Sequence, residues 1–180
     1  MAKQDYDFIV TSTGRKFYMK DIEKNQLHIE DIAIALSRIC RFAGHCKRYY
    51  SVAEHSILVA NLLPPEFALA GLLHDATEAY LGDVTRPLKN QLQQYRDIED
   101  RLHGHIEKSF DVDFSNPIIK EADDLALFIE ASHLYPNEDL KTWGIKIPND
   151  IPEIMFITDF DINPFDAKKM FIKKYLELTS

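Results

Sequence analysis

Six residues from Ala68 to Leu73 are apolar or glycine, and the chain then places His74 and Asp75 directly after them and Glu78 one turn further on. A helical segment that is apolar all round must be buried on every side. The three titratable groups are therefore carried to the end of a core element instead of a free surface. Pro65 suits a first helical turn and Gly82 a stop, so the spacing predicts one helix from Pro65 to about Leu81.

Other local signals extend this pattern. Ile29, Ile32, Ala33, Leu36, Ile39 and Cys40 recur at helical spacing, and "RFAGHCKRYY" reads as a loop broken at Gly44. "SVAE", from Ser51 to Glu54, has the form of a capping box, so a helix should run from there to Leu63, where Pro64 and Pro65 stop it. Further helices are expected from about Gln94 to Phe110 and from Ile118 to Leu134. "KTWGIKIPNDIPEIMFITDFDINP" reads as irregular. Asn163-Pro164 then opens a last helix with Phe165, Met170, Phe171 and Tyr175 expected inward. Two β-prone runs in "DFIVTSTGRKFYM" predict a small hairpin around Thr13-Gly14. The expected fold is mainly α, a single domain over residues 1–180 with a small N-terminal β-hairpin. A chain of 180 residues buries roughly 70% of its unfolded surface and needs no staple merely to fold.

The net charge of −8 argues against long-range attraction to nucleic acid or an anionic membrane, although local cations can still hold a small anion. Two cysteines, Cys40 and Cys46, make no disulfide scaffold and fit a reducing compartment. "MAKQDYDFIV" lacks a signal-peptide core, and no window approaches the roughly 18 apolar residues of a membrane span. A cytoplasmic location is expected, with no nucleic-acid or membrane partner; a homo-oligomer stays open.

A bare His-Asp pair at a helix end is as well explained by solvation as by chemistry. Two further sites shift the balance. "VAEHSILVA" puts His55 early in an apolar helix, and "IKEADDLALFIEA" puts Asp123 and Asp124 inside another. A carboxylate facing an apolar core is costly unless it is paired or binds a metal. One of the two aspartates can face solvent; the other, on the side of Ala122, Ala126 and Ile129, needs a partner. Two imidazoles and two carboxylates from three helices suit a divalent cation.

Taken together, "VAEHS", "LLHDATEAYLGDVTRPLK" and "IKEADDL" resemble the HD-domain metal-dependent phosphohydrolase superfamily, with its H…HD…D pattern. The similarity runs from about Arg41 to Ala131. It is closest to the compact branch that contains bacterial 5'-deoxynucleotidases and phage deoxynucleoside triphosphohydrolases, including dATP-specific ones. The resemblance implies an HD-type helical bundle and one divalent ion (Co, Mn, Zn, Mg or Fe) on His55, His74, Asp75 and Asp123. It implies Glu78 as the residue that orients or deprotonates the attacking water, and Asp83 as a second acidic group. Arg41 and Lys89 would face phosphate, and Phe42 the nucleoside. The expected activity is release of a deoxynucleoside from a dNTP, dATP being one candidate, or from a dNMP. The alternatives are a non-catalytic nucleotide sensor and a hydrolase of cyclic nucleotides or alarmones.

Several residues read as ordinary. His45, in a loop near Arg41, is expected to be a surface or structural histidine, with contact to phosphate as the alternative; Cys40, His45 and Cys46 lack the fourth ligand of a closed zinc site. His103, His105, Lys47 and Arg48 are expected to be solvated, Lys47 and Arg48 with a second use as a cationic rim. Trp143 is expected to pack.

Overall fold

A computed structural model describes residues 7–136, 138–144 and 161–180. Its core is built around one helix that is buried on all sides. The elements in chain order are β1 (Phe8–Val10), β2 (Lys16–Tyr18), α1 (Ile29–Leu36), α2 (Val52–Leu62), α3 (Pro65–Leu73), α4 (Glu78–Leu81), α5 (Arg86–Lys89), α6 (Gln93–Phe110), α7 (Pro117–Leu134) and α8 (Pro164–Leu178). Short 3-10 turns occupy Ile22–Lys24, Phe42–Gly44 and Leu140–Trp143. The two strands pair antiparallel, with Ile9 opposite Phe17. No described helix is long and apolar enough to cross a membrane.

Every residue of α2 from Val52 to Ala60 is buried, including Glu54, His55 and Ser56. α2 packs on α1, α3, α7 and α8. Leu58 and Val59 meet Ala70 of α3 and Ala122, Ala126 and Ile129 of α7 in one apolar cluster. Two elements carrying the titratable groups are thus packed directly on the helix that carries His55.

The start of α2 is locally encoded. The amide of Glu54 donates to Ser51 Oγ at 3.2 Å, and the amide of Ser51 donates to Glu54 Oε2 at 2.8 Å. This reciprocal box satisfies two otherwise orphaned amides at a buried helix start. Ser51→Ala is expected to cost about 1–2 kcal/mol, the upper part of the N-cap range, because Ser51 is fully buried. Denaturant unfolding of the variant measures this; a loss below about 0.5 kcal/mol would contradict the assignment.

Four expectations need correction. The helix expected from Pro65 to Leu81 is broken. α3 ends at Leu73, the chain turns over residues 74–77, and α4 restarts at Glu78. In the turn, the Ala76 amide bonds the Leu73 carbonyl and the Glu78 amide bonds that of Asp75, a tighter winding than α. Nothing in "HDAT" signals this break, since it holds neither Gly nor Pro. α1 stops at Leu36 and not at Cys40. The chain turns over Ser37 and Arg38, and Cys40 then bridges antiparallel to Ser51, with Val52 N bonded to Ile39 O and Arg41 N to Tyr50 O. Phe165 points outward, 64% exposed under Lys169, and Ala167 takes the inward place. Arg48 is not solvated: it lies 3.2 Å from buried Glu54 and over the Tyr50 ring. The helices at Gln93–Phe110 and Pro117–Leu134 and the Asn163 cap of α8 match their expectations. Of the expected irregular stretch, residues 145–160 lie outside the described residues.

Candidate active site

The four expected ligand residues converge. His55 Nε2 and His74 Nε2 are 3.2 Å apart. Asp75 Oδ2 lies 3.3 Å from each of them. Asp123 Oδ1 lies 3.3 Å from His55 Nε2 and 3.9 Å from His74 Nε2. His55, His74 and Asp75 offer ligand atoms that all fall within 4.8 Å of one another. Asp124, by contrast, is about half exposed and pairs with Lys120.

The far side of each ring decides what the near side presents. His74 Nδ1 is 2.7 Å from the Gly71 carbonyl, which can only accept, so this nitrogen carries the proton. His55 Nδ1 is 2.6 Å from the Glu130 carboxylate. With both Nδ1 atoms donating, the neutral rings turn two Nε2 lone pairs toward each other and toward two carboxylate oxygens. That arrangement repels itself unless a proton or a cation sits among them. The donor set, two imidazole nitrogens and two carboxylates, fits a divalent ion.

The protein is charged accordingly. Burial opposes ionisation of Asp75, but His74 and His55 outweigh it and hold the carboxyl well below the usual range. Burial and Arg41 work against a charged His55, yet Glu130, Asp123 and Asp75 raise its pKa. Glu78 goes the other way. Burial, then Asp75 and Asp83, push its carboxyl well above the ordinary value. Its Oε2 is buried with no hydrogen-bond partner among the described residues. Asp83 is pushed up as well, chiefly by burial.

These groups open into a cavity of about 740 Å³ lined by Arg41, Phe42, Asp75, Glu78, Asp83, Arg86, Lys89, Asp123 and Trp143, among others. Arg41 and Phe42 are mounted on a strained turn: Phe42 and Ala43 take φ of 56° and 51°, a region that non-glycine residues seldom occupy. Arg41 Nη2 is 3.1 Å from Glu130 Oε2, and Nη1 is 3.6 Å from Asp75 Oδ2. Lys89 Nζ is held 2.8 Å from Glu99 Oε1. Both expected cations line the cavity, and both already have an anionic partner.

Two supporting residues, Glu130 and His103, escaped the sequence reading, and His105 is also less exposed than expected. Glu130 is fully buried and touches His55, Arg41 and Tyr50. Its signal was present, a glutamate in the apolar run "LALFIEA" two turns after Asp123. His103 is not solvated: its Nε2 is 2.8 Å from the His74 carbonyl, beside the break after α3. His105 likewise meets the Asn25 carbonyl. Trp143, expected to pack, does so against Tyr135 but is also 38% exposed and lines the cavity near Phe42. His45 is exposed, as expected. Cys40 and Cys46 are free thiols with sulfurs 4.0 Å apart.

No family model matches the chain. The uncharacterized protein YfdR of Escherichia coli is 37% identical over 174 residues, 96% of each chain. An uncharacterized protein of Rhodobacter capsulatus is 34% identical over 137 residues, 68% of this chain and 70% of its own. A 5'-deoxynucleotidase of Pasteurella multocida is 23% identical over 133 residues, 63% of this chain and 64% of its own.

Proposed function

The chain belongs to the same family as the Escherichia coli protein YfdR, and we propose that it is a divalent-metal-dependent phosphohydrolase of the HD type, acting on deoxynucleoside monophosphates. The observation that carries this is the convergence of two imidazole nitrogens and two carboxylate oxygens at the floor of an open cavity. The distant similarity to a 5'-deoxynucleotidase supports the substrate class.

His55, His74, Asp75 and Asp123 would hold a divalent ion, and that ion would supply Lewis acidity toward a phosphoryl oxygen and toward water. Glu78, buried with one free oxygen, takes the proton of the attacking water. The water oxygen bonds to phosphorus, the bond from phosphorus to the sugar oxygen breaks, and that oxygen leaves with a proton. Asp83, the second acidic group lining the cavity, is the donor beside it. Phe42 offers a flat apolar face to the nucleoside.

Charge favours a monophosphate over a triphosphate. The described lining holds Arg41, Arg86 and Lys89 against Asp75, Glu78, Asp83 and Asp123. All three cations already have an anionic partner, in Glu130, Asp124 and Glu99. Little positive charge remains for a longer phosphate chain. Glu78 and Asp83 together argue against a pure sensor, which would not need both.

The test is incubation of the Mn²⁺- or Co²⁺-loaded protein with paired deoxy and ribo mono- and triphosphates, with identification of the released phosphate species. Orthophosphate from dNMPs is expected. Release of intact triphosphate would move the assignment to a triphosphohydrolase, and equal efficiency on ribonucleotides would remove the deoxy preference. No turnover of any nucleotide would leave the sensor reading in its place.

The two cations should differ in kind. Arg41→Ala and Lys89→Ala are each expected to lower kcat/KM by about tenfold or more, since a charge-assisted hydrogen bond is worth about 1.5–3 kcal/mol. Arg41→Ala also strands Glu130 in the interior, which should cost about 3–5 kcal/mol of stability. Lys89 is a quarter exposed, so its loss should barely alter stability. Kinetics and denaturant unfolding of both variants separate the effects; equal stability losses would contradict the buried-pair reading.

A further inference from the structure

Glu130 sits in α7 with no exposed surface, on the face it shares with Asp123 two turns earlier. A carboxylate in such a place is tolerated only when its oxygens are used. Oε1 accepts from the Tyr50 hydroxyl at 3.0 Å and stands 2.6 Å from His55 Nδ1. Oε2 stands 3.1 Å from Arg41 Nη2, an ion pair without a hydrogen bond among the described residues. Each of those two partners turns its other end to the site: His55 Nε2 toward His74, and Arg41 Nη1 toward Asp75.

We propose that Glu130 is a positioning residue whose single carboxylate fixes both the metal-facing ring of His55 and the guanidinium of Arg41, so that metal binding and the placement of the phosphate-facing cation depend on one group. The inference rests on the metal and phosphate reading above. A carboxylate on Nδ1 sets the tautomer, aims Nε2 and raises its strength as a ligand. The link to Arg41 follows from Asp75. Its Oδ2 lies 3.6 Å from Arg41 Nη1 and 3.3 Å from both His55 Nε2 and His74 Nε2. A cation between the imidazoles competes with Arg41 for that oxygen. Glu130 is then the anion that keeps Arg41 in the cavity wall.

Glu130→Gln keeps the shape and an accepting oxygen but removes the charge. Calorimetric titration with Mn²⁺ is expected to show affinity about 10–100-fold weaker than wild type. A folded Glu130→Gln protein that binds Mn²⁺ as tightly as wild type would overturn the proposal. A second measurement needs no variant. In the Zn²⁺-loaded wild-type protein, long-range ¹H–¹⁵N NMR correlations should show His55 protonated at Nδ1 and bare at Nε2; the opposite tautomer would overturn the proposal even if the variant fails to fold. Wild-type protein that takes up neither ion overturns both this inference and the proposed function, whereas metal-binding wild type with an unaffected variant overturns this inference alone.

Discussion

Glu78→Ala is expected to lower turnover by about 10²- to 10⁴-fold while the metal stays bound, the usual range for a lost general base. Glu78 lines the cavity next to Asp75, is almost fully buried, and keeps one oxygen without a partner among the described residues. Burial, Asp75 and Asp83 raise its pKa, so its proton comes off above the ordinary carboxylate range. A base must be ionised to act. Activity should therefore fall as pH drops and Glu78 takes up its proton, and the variant should lose this acidic limb. The same shift has an opposite sign for stability. A carboxyl whose folded pKa lies above its unfolded one stabilises the fold below the unfolded value, and that contribution is lost as pH rises through the folded one. Wherever it is ionised, Glu78 is a burden on the metal-free fold. Metal-free Glu78→Ala should consequently melt no lower than wild type, a trade of stability for activity. Near-normal turnover with metal retained would assign the proton transfer elsewhere, Asp83 being the nearest candidate.

Asp123→Asn is expected to weaken metal binding by more than about 100-fold, beyond the 10–100-fold typical of residues that only support a ligand. Asp124→Asn should leave it unchanged. The neighbouring aspartates differ by which face of α7 they occupy. Asp123 is mostly buried with Oδ1 against both imidazole Nε2 atoms. Asp124 is 49% exposed and reaches Lys120 and Arg86. Lys120 also touches Asp123 Oδ2, which holds that carboxylate from the solvent side. Metal analysis after dialysis of the two variants, with unfolding curves to show that both fold, reads the difference. Loss of metal in Asp124→Asn and retention in Asp123→Asn would reverse the face of α7 and with it the site.

Much of this arrangement is legible without coordinates. The Ser51–Glu54 box and the Asn163-Pro164 start announce α2 and α8, because a cap is a hydrogen bond between residues two or three apart. The burial of His55, His74 and one of two aspartates follows from the apolar residues around them, because charge in an apolar segment needs a partner. The break after Leu73, the inward Glu130 and the buried Arg48 are not legible in that way. "HDAT" has no breaker, and His103, which caps the His74 carbonyl beside that break, lies 29 residues on. Glu130 meets His55 across 75 residues of chain. Local sequence determined which segments are helices and which side chains must leave water, since those are decided by backbone hydrogen bonds within a turn and by the cost of exposing apolar surface. Only the tertiary structure decided which polar groups meet. A buried charge takes whichever partner the packing of α2, α3, α6 and α7 brings within about 3 Å, and that distance depends on helix faces whose contacts are far apart in sequence.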